Sequence, residues 1–256
     1  MKTGINLNTD TFEDVLLVHR KKQVNQVLLK FTFSFIFAFL MWISANSFVY
    51  LPFTPVPMTM QVLTALIAPI FIGSTWAMFS QIIYISLGLA GLPVFSGFKS
   101  GITALAGPTG GYIIGFVAAG FVTGYVYSTL KNKNCSLNLV IFKNYYHKNN
   151  NKFLNSRNLS KINDLEINVC NENTDKNVGV TFIACFSGLA VIYIFGFLHL
   201  LGFLSALSGD IGLKELAVKT FKLGVQPFII VDLLKITIIV NMQRVFSIKE
   251  VNSLSE

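Results

Sequence analysis

Charge, cysteine and histidine are all scarce in this chain, and each shortage excludes a class of protein. Charged residues make up only 12% of the 256 positions and hydrophobic residues 53%, a balance that does not suit a water-soluble domain of this size. The three cysteines form no CxxC pair, so we expect neither a disulfide framework nor a zinc site. The three histidines lie in different regions, and we predict no metal site.

The chain also lacks the usual sequence patterns of catalysis. It has no nucleophile matched with a base, no carboxylates paired for acid–base chemistry, no HExxH and no P-loop. An enzyme is therefore the least supported class, and active transport would need energy from another subunit or an ion gradient. The formal net charge is +8, but the basic residues lie in tails and one loop beside apolar segments, so we expect no nucleic-acid partner.

Long apolar runs dominate the sequence instead. Runs of about 20 residues are long enough to cross a bilayer, and they are continuous rather than alternating, which favours helices over a membrane barrel. We predict an all-α integral membrane bundle of six transmembrane helices. The predicted spans are residues 30–50, 58–73, 75–91, 110–130, 179–205 and 224–246.

The distribution of Lys and Arg predicts how this bundle is oriented. An even number of spans leaves both termini on the same side of the membrane. Fifteen of the 20 basic residues fall in the N-terminal tail, in the loop after the fourth span or at the C-terminal end. By the positive-inside rule, we expect both termini in the cytoplasm of a multi-pass protein of the cell membrane, with the loop after the first span outside.

Polar segments divide the chain into five parts. We predict a cytoplasmic N-terminal tail at 1–29, four spans within 30–130, two spans within 178–246 and a cytoplasmic tail at 247–256. Residues 131–177 are rich in Asn and Lys, and we predict a disordered cytoplasmic loop without chemistry of its own.

A proline-rich stretch joins the first two spans, with prolines at 52, 55 and 57. Proline fixes φ and biases the preceding residue toward extended geometry, so the stretch should be a pre-shaped turn with a helix opening at Met58 or Thr59. Two interpretations stay open: a connector that stops one helix and starts the next, or an ordered lid over a pocket.

A glycine-rich stretch, Gly91–Gly101, follows the third span and is continued by Gly107–Tyr112. Glycines permit close backbone approach, so this loop can line a cavity, with Phe95, Lys99 and Tyr112 as possible contacts. The alternative is that the glycines let the fourth helix pack tightly, and both can hold at once.

Asp232 and Lys235 form the one acid–base pair inside a predicted span. A spacing of three residues places them on the same helical face. Ionisable groups at membrane depth are costly, so they pair with each other or face a polar cavity, and they mark a functional site by default. We predict that they lie within about two to three helical turns of the two loops, because their helix starts at Gln226-Pro227 on the outer side. A closed ion pair that only holds the helix in the bundle is the alternative.

These motifs together resemble the BioY family, the biotin-binding substrate-capture (S) components of energy-coupling factor (ECF) transporters. The resemblance covers about residues 30–246 apart from the polar loop, and rests on Pro55–Gln61, Tyr84–Gly88, Gly91–Phe95, Gly107–Tyr112 and Asp232-x-x-Lys235. It implies a six-helix membrane protein that binds biotin from outside and works with a membrane scaffold subunit and two cytoplasmic ATPases. ATP would then be used by the partner subunits alone, and the chain would need no cofactor.

The resemblance also implies roles for individual residues toward biotin. Asp232 would accept hydrogen bonds from the ureido N–H groups, and Lys235 would donate to the ureido carbonyl or to the carboxylate. The remaining ligand-binding candidates, for packing the rings and meeting polar ends, are Phe53, Phe95, Tyr112, Thr59, Gln61 and Lys99.

The small residues Ser34 and Ala38, four apart on the first span, match the family's scaffold-contacting positions, with ordinary intramolecular packing as the alternative. Two features depart from the family. Ile230-Val231 stand where a small or helix-breaking pair is usual, and the long loop is atypical. An S component for another small vitamin, or a structural membrane subunit without a ligand, remain alternative functions.

Overall fold

The computed structural model of the protein describes residues 9–149, 174–208 and 212–253. These ranges are almost wholly helical, with one small antiparallel sheet. The elements are α1 (Thr9–Asn46), β1 (Phe48–Val49), β2 (Met58–Thr59), α2 (Gln61–Ile72), α3 (Ser74–Leu89), α4 (Ile102–Ala106), α5 (Gly110–Asn149), α6 (Thr174–Ser208), α7 (Leu213–Gly224) and α8 (Ile229–Ser253).

Several of these helices suit a membrane by length and composition. The apolar segments Val24–Asn46, Gly110–Lys133 and Val178–Leu207 are each long enough to cross one, and α7 with α8, bent by 45°, makes a fourth if the pair is one span. α2 has 12 residues, which corresponds to about 18 Å against about 30 Å of hydrocarbon. The described chain is therefore that of a helical membrane protein in which three or four helices, rather than six, pass the length test.

Four helices extend beyond their predicted spans, among them α6, which runs from Thr174 to Ser208 against a predicted 179–205. α1 begins at Thr9, inside the predicted tail 1–29, α5 continues to Asn149, inside the predicted disordered loop 131–177, and α8 reaches Ser253. The polar extensions of α1 and α5 contain neither proline nor glycine, so nothing in the sequence ends the helix where the apolar run ends. Hydropathy thus did not predict the helix ends. The loop residues 150–173 lie outside the described part of the chain.

Two helices were not predicted, α4 in the glycine-rich stretch and α7 before the last span. α7 carries three lysines and one glutamate in 12 residues, so it has no apolar run to reveal it. The last span was predicted over 224–246, but the helix α8 begins at Ile229. Residues 225–228 form a turn that includes Pro227.

The proline-rich stretch is the loop of a β-hairpin, which the all-α prediction missed. Phe48 pairs with Thr59 and Val49 with Met58 in an antiparallel ladder. The extended geometry that proline imposes on its neighbours suits such a ladder. α2 therefore starts at Gln61 rather than at Met58 or Thr59, and the Gln61 backbone N–H donates a hydrogen bond of 3.3 Å to the Thr59 hydroxyl.

α5 lies between α3 on one side and α6 on the other. Its glycines make both contacts close. A Cβ atom at Gly124 would lie 2.5 Å from the Ser74 Cα, and one at Gly111 would lie 2.5 Å from the Phe195 carbonyl oxygen. The tight-packing interpretation of the glycines therefore holds for the body of α5.

Ser34 and Ala38, the predicted scaffold contacts, are buried within the chain, with exposures of 0% and 3%. The Ser34 hydroxyl lies 3.2 Å from the Trp76 carbonyl oxygen on α3. Other parts of the bundle cover this face of α1, and the scaffold contact at these two residues stays a prediction. The intramolecular alternative accounts for them, since small side chains let α1 approach its neighbours closely.

Candidate functional site

A cavity opens among the loops at one end of the bundle. Its empty volume, counting the open mouth, is about 650 Å³. The hairpin, the glycine-rich loop and the adjoining ends of the helices all contribute to its wall. Seven of the eight predicted ligand-binding residues line it: Thr59, Gln61, Phe95, Lys99, Tyr112, Asp232 and Lys235.

Phe53, the eighth predicted residue, is not part of the cavity wall. Its side chain is 58% exposed on the hairpin loop. The same loop instead contributes Val56 and Pro57 to the lining. The Val56 backbone N–H donates a hydrogen bond of 3.2 Å to the Thr54 hydroxyl and so forms a local turn. With this turn, Val56 rather than Phe53 lines the cavity.

Asp232 and Lys235 form a buried ion pair that faces the cavity. Their exposures are 3% and 4%, and Lys235 Nζ lies 2.7 Å from Asp232 Oδ1. Lys235 Nζ also donates to the Thr59 carbonyl at 2.7 Å, and the Tyr193 hydroxyl donates to Asp232 Oδ2 at 2.7 Å. Three elements, α8, β2 and α6, therefore hold the pair in one orientation.

The pair keeps hydrogen-bonding capacity for a ligand. An ammonium group has three protons, of which Lys235 donates two to these partners, and each carboxylate oxygen can accept more than one hydrogen bond. A closed ion pair and a polar surface toward a cavity were alternatives for the sequence. In the structure the two side chains form the ion pair and also line the cavity.

Tyr193 is a site residue that the sequence analysis missed. It lies on α6, within an apolar span, and it lines the cavity beside Asp232. A buried tyrosine hydroxyl needs a hydrogen-bond partner, so a lone Tyr in an otherwise apolar helix was the available indication.

Gln61 is fixed by a hydrogen-bond network at the start of α2. Its side-chain amide donates to the Tyr84 hydroxyl at 3.0 Å, and that hydroxyl donates to the Val94 carbonyl at 3.1 Å. The Thr59 hydroxyl donates to Gln61 Oε1 at 3.1 Å. This network connects the hairpin, α3 and the glycine-rich loop along one side of the cavity.

Phe95 forms an apolar part of the cavity wall and is 1% exposed. Its ring meets the Tyr84 ring edge-on at a centroid distance of 5.6 Å. The ring also lies against Gly88, where a Cβ atom would come within 2.2 Å of it. Only a residue without a side chain fits at that position, which explains why the motif Tyr84–Gly88 ends in glycine.

Tyr112 lies opposite, at the start of α5. Its hydroxyl donates a hydrogen bond of 2.7 Å to the Gly224 carbonyl, and the Thr54 hydroxyl donates one of 2.6 Å to the neighbouring Leu223 carbonyl. Carbonyls at a helix C-terminus have no partner within the helix. The proline-rich loop and the cavity wall are thereby both attached to the end of α7, which favours the lid over the simple connector.

A second, wider depression adjoins the cavity on its open side. It shares the lining residues Pro57, Ser96, Lys99, Ala104 and Thr109 with the cavity. Lys99 faces both spaces, and its backbone pairs with that of Phe95 through hydrogen bonds of 3.0 and 3.3 Å across a tight turn. Gly97 makes this turn possible, with φ at +76°.

Comparison with known proteins identifies close sequence relatives of parts of this chain. A model of the BioY family matches residues 19–249. The chain is 39% identical over 82 residues to the biotin transporter BioY of Thermotoga maritima, an alignment that covers 32% of this chain and 48% of that protein. It is 47% identical over 70 residues to a probable biotin transporter BioY of Pyrococcus horikoshii, covering 27% and 43% respectively.

These alignments span less than half the length of the curated relatives. A solved structure is similar over most of the fold. It is the crystal structure of the S-component for biotin from an ECF-type ABC transporter, with a TM-score of 0.54 and 18% identity, covering 86% of this chain and 93% of that one. At this identity the likeness concerns the fold.

Proposed function

The chain belongs to the BioY family, and from this premise we propose that it captures biotin as the S component of an ECF-type transporter. The biotin transporters among its relatives and the resemblance of its fold to an S component for biotin support the proposal. The observation that carries it is the buried Asp232–Lys235 pair, which faces a cavity enclosed by the proline-rich and glycine-rich loops.

The cavity offers a partner for each part of biotin. The ureido ring has two N–H donors and one carbonyl acceptor, which suit the Asp232 carboxylate and the Lys235 ammonium group in a low-dielectric setting. The thiophane ring and the chain are apolar, and they suit the aromatic walls formed by Phe95 and Tyr112. Thr59 and Gln61 supply further polar atoms beside the pair.

We propose that the biotin carboxylate lies toward Lys99. This lysine lines both the cavity and the outer depression, so it can meet an anionic tail that reaches the mouth. The pair Asp232–Lys235 lies deeper, since both side chains are almost fully buried. This arrangement places the neutral ring inside and the charged end nearest to water, which lowers the cost of desolvation.

We propose a multi-pass topology in the cell membrane, with six crossings made by α1, α2, α3, α5, α6 and α8. The two short helices α2 and α3 adjoin each other at Gly73 and form a tight pair. The excess of basic residues at the termini and within residues 131–177 supports cytoplasmic termini. The cavity then opens to the outer face, where biotin is captured.

The energy for transport would come from partner subunits. The sequence has no nucleotide-binding P-loop, so a membrane scaffold subunit and two ATPases would supply it, and ATP would be used there. The chain itself would act by binding and releasing biotin, without a cofactor.

Calorimetric titration of biotin into the purified full chain in detergent tests this function, with riboflavin and thiamine as control ligands. We expect biotin alone to bind, and binding to weaken in Asp232→Asn while the protein stays monodisperse. Selective binding of another vitamin would assign a different S component. A folded sample that binds no vitamin would favour a structural subunit and reject the proposal.

A further inference from the structure

α7 has two faces of different character. The side chains that pack into the protein are Leu216 and Thr220, with Gly224 at the end, and these three positions are buried. The opposite face is exposed and combines apolar and charged residues: Lys214, Glu215, Val218, Lys219, Phe221 and Lys222. At 100° per residue, Lys214, Val218, Phe221 and Lys222 lie within a sector of about 100°, and Glu215 and Lys219 follow beside Lys222. With three lysines and one glutamate, the structure leaves an amphipathic face of net positive charge without a partner in the described chain.

Neither hydrocarbon nor bulk water suits this face. A helix in the bilayer core would bury three lysines and one glutamate in 12 residues, which is strongly unfavourable. In water it would expose Val218 at 56% and Phe221 at 47%. The helix also lies in the chain between two membrane helices, α6, whose apolar segment ends at Leu207, and α8, from which it bends by 45°.

We propose that α7 lies in the headgroup layer and binds anionic phospholipid headgroups through Lys214 and Lys222. Val218 and Phe221 enter the boundary of the acyl chains between them, while the lysine stems extend outward to the phosphates. Lys219 lies beyond Lys222 on the same side of the helix, four residues after Glu215, a spacing at which a helix supports opposite charges. Its contribution to lipid binding is therefore smaller.

This contact has a consequence for the cavity, and that part of the inference rests on the proposed function. The last carbonyls of α7, at Leu223 and Gly224, accept the hydrogen bonds from Thr54 and Tyr112. A lipid-bound α7 therefore steadies both the loop over the cavity and one of its aromatic walls. We expect the protein to bind biotin more tightly in an anionic bilayer than in a zwitterionic one.

Hydrogen–deuterium exchange of the full chain in nanodiscs tests the lipid contact without any biotin. One sample uses phosphatidylcholine, and the other an equal mixture of phosphatidylcholine and phosphatidylglycerol. A lysine near an anionic surface contributes roughly fivefold in binding, so we expect the amides of α7 to exchange up to about 25-fold more slowly in the mixture. The double variant K214Q/K222Q should lose this difference.

The matched control is K30Q/K133Q, which removes the same charge from exposed lysines on α1 and α5. It should leave the lipid-dependent protection of α7 intact. Equal exchange of α7 in both nanodiscs, or the same loss in the control variant, would overturn the lipid contact. Calorimetry with biotin in the same nanodiscs separates the two proposals. A chain that binds no biotin in either lipid refutes the proposed function. The exchange experiment, which uses no biotin, still decides whether α7 contacts lipid.

Discussion

The Tyr193 hydroxyl donates a hydrogen bond of 2.7 Å to Asp232 Oδ2, across the contact between α6 and α8. Lys235 holds the other carboxylate oxygen, so the plane of the carboxylate is fixed from two sides. A carboxylate that is already oriented loses little rotational freedom when it accepts the ureido N–H groups of a ligand. Tyr193 thus acts as a positioning residue for the proposed biotin contact.

Replacing Tyr193 by Phe removes this hydrogen bond and keeps the ring. Hydrogen bonds to charged groups contribute about 1.5–3 kcal/mol, so we expect biotin affinity to fall by roughly tenfold or more. Calorimetric titration measures the change. The control Tyr125→Phe removes a hydroxyl from a tyrosine that is 59% exposed, and it should leave affinity unaltered. An unchanged affinity in Tyr193→Phe would show that Tyr193 does not position Asp232 for the ligand.

Asp232→Asn should lower stability as well as binding, because it leaves the Lys235 charge buried without its anion. Breaking a buried pair by removing one partner costs about 3–5 kcal/mol, whereas replacing both partners is often neutral. We therefore expect Asp232→Asn to melt at a lower temperature than the double variant Asp232→Asn/Lys235→Met, while neither binds biotin well. Thermal unfolding in detergent checks the order of the two melting temperatures. A double variant that melts lower than the single one would contradict the account.

Seven of the eight predicted residues line one cavity, and the sequence could bring them together because their patterns are local. Asp232 and Lys235 lie three apart, and the prolines and glycines restrict two loops whose shape brings them near the same helix ends. Tyr193 was missed because its role depends on how α6 packs against α8, and no local pattern in the sequence encodes that contact. Phe53 lies outside the cavity lining because the direction of a side chain on a loop depends on one turn, at Thr54, that composition does not reveal.

The fold, like the site, could be predicted only in part. Apolar runs located the membrane segments, but the polar ends of α1 and α5 are helical for reasons of propensity rather than hydropathy. α7 was hidden because a helix with three lysines and one glutamate in 12 residues has no long apolar run. The burial of Ser34 was equally out of reach, since a small residue suits a contact within the chain as well as one with a partner.

Phe95→Ala and Phe53→Ala form a matched pair for the cavity wall. Phe95 is 1% exposed and packs on Tyr84, so its truncation should cost about 3–5 kcal/mol of packing and weaken biotin binding strongly. Phe53 is 58% exposed, and its truncation should change neither quantity measurably. Calorimetry and thermal unfolding report both. Loss of biotin affinity in Phe53→Ala would show that Phe53 contributes to the binding site.

Thr54→Val tests whether the proline-rich loop is held as a lid. The substitution keeps the shape but removes two hydrogen bonds, the one of 2.6 Å to the Leu223 carbonyl and the one of 3.2 Å that the hydroxyl accepts from the Val56 backbone N–H. We expect biotin to dissociate faster, with a smaller change in the association rate, because the closed loop loses a contact that the open loop lacks. Stopped-flow release of a fluorescent biotin measures this rate. The control Thr237→Val, at an exposed position on α8, should release biotin at the rate of the unaltered chain.

Gly196→Ala should damage the cavity although Gly196 is not part of its lining. A Cβ atom there would lie 2.3 Å from the Tyr112 ring, and that ring cannot move away freely because its hydroxyl is bonded to the Gly224 carbonyl at 2.7 Å. The ring must shift into the cavity or lose the hydrogen bond, and overpacking of this kind costs about 1–3 kcal/mol. We expect weaker biotin binding and a lower melting temperature.

Gly202→Ala, on the same helix α6, meets nothing within 4 Å and should be neutral or slightly stabilising, since alanine favours a helix. Equal behaviour of the two variants in calorimetry and thermal unfolding would show that the position of Tyr112 does not control the site.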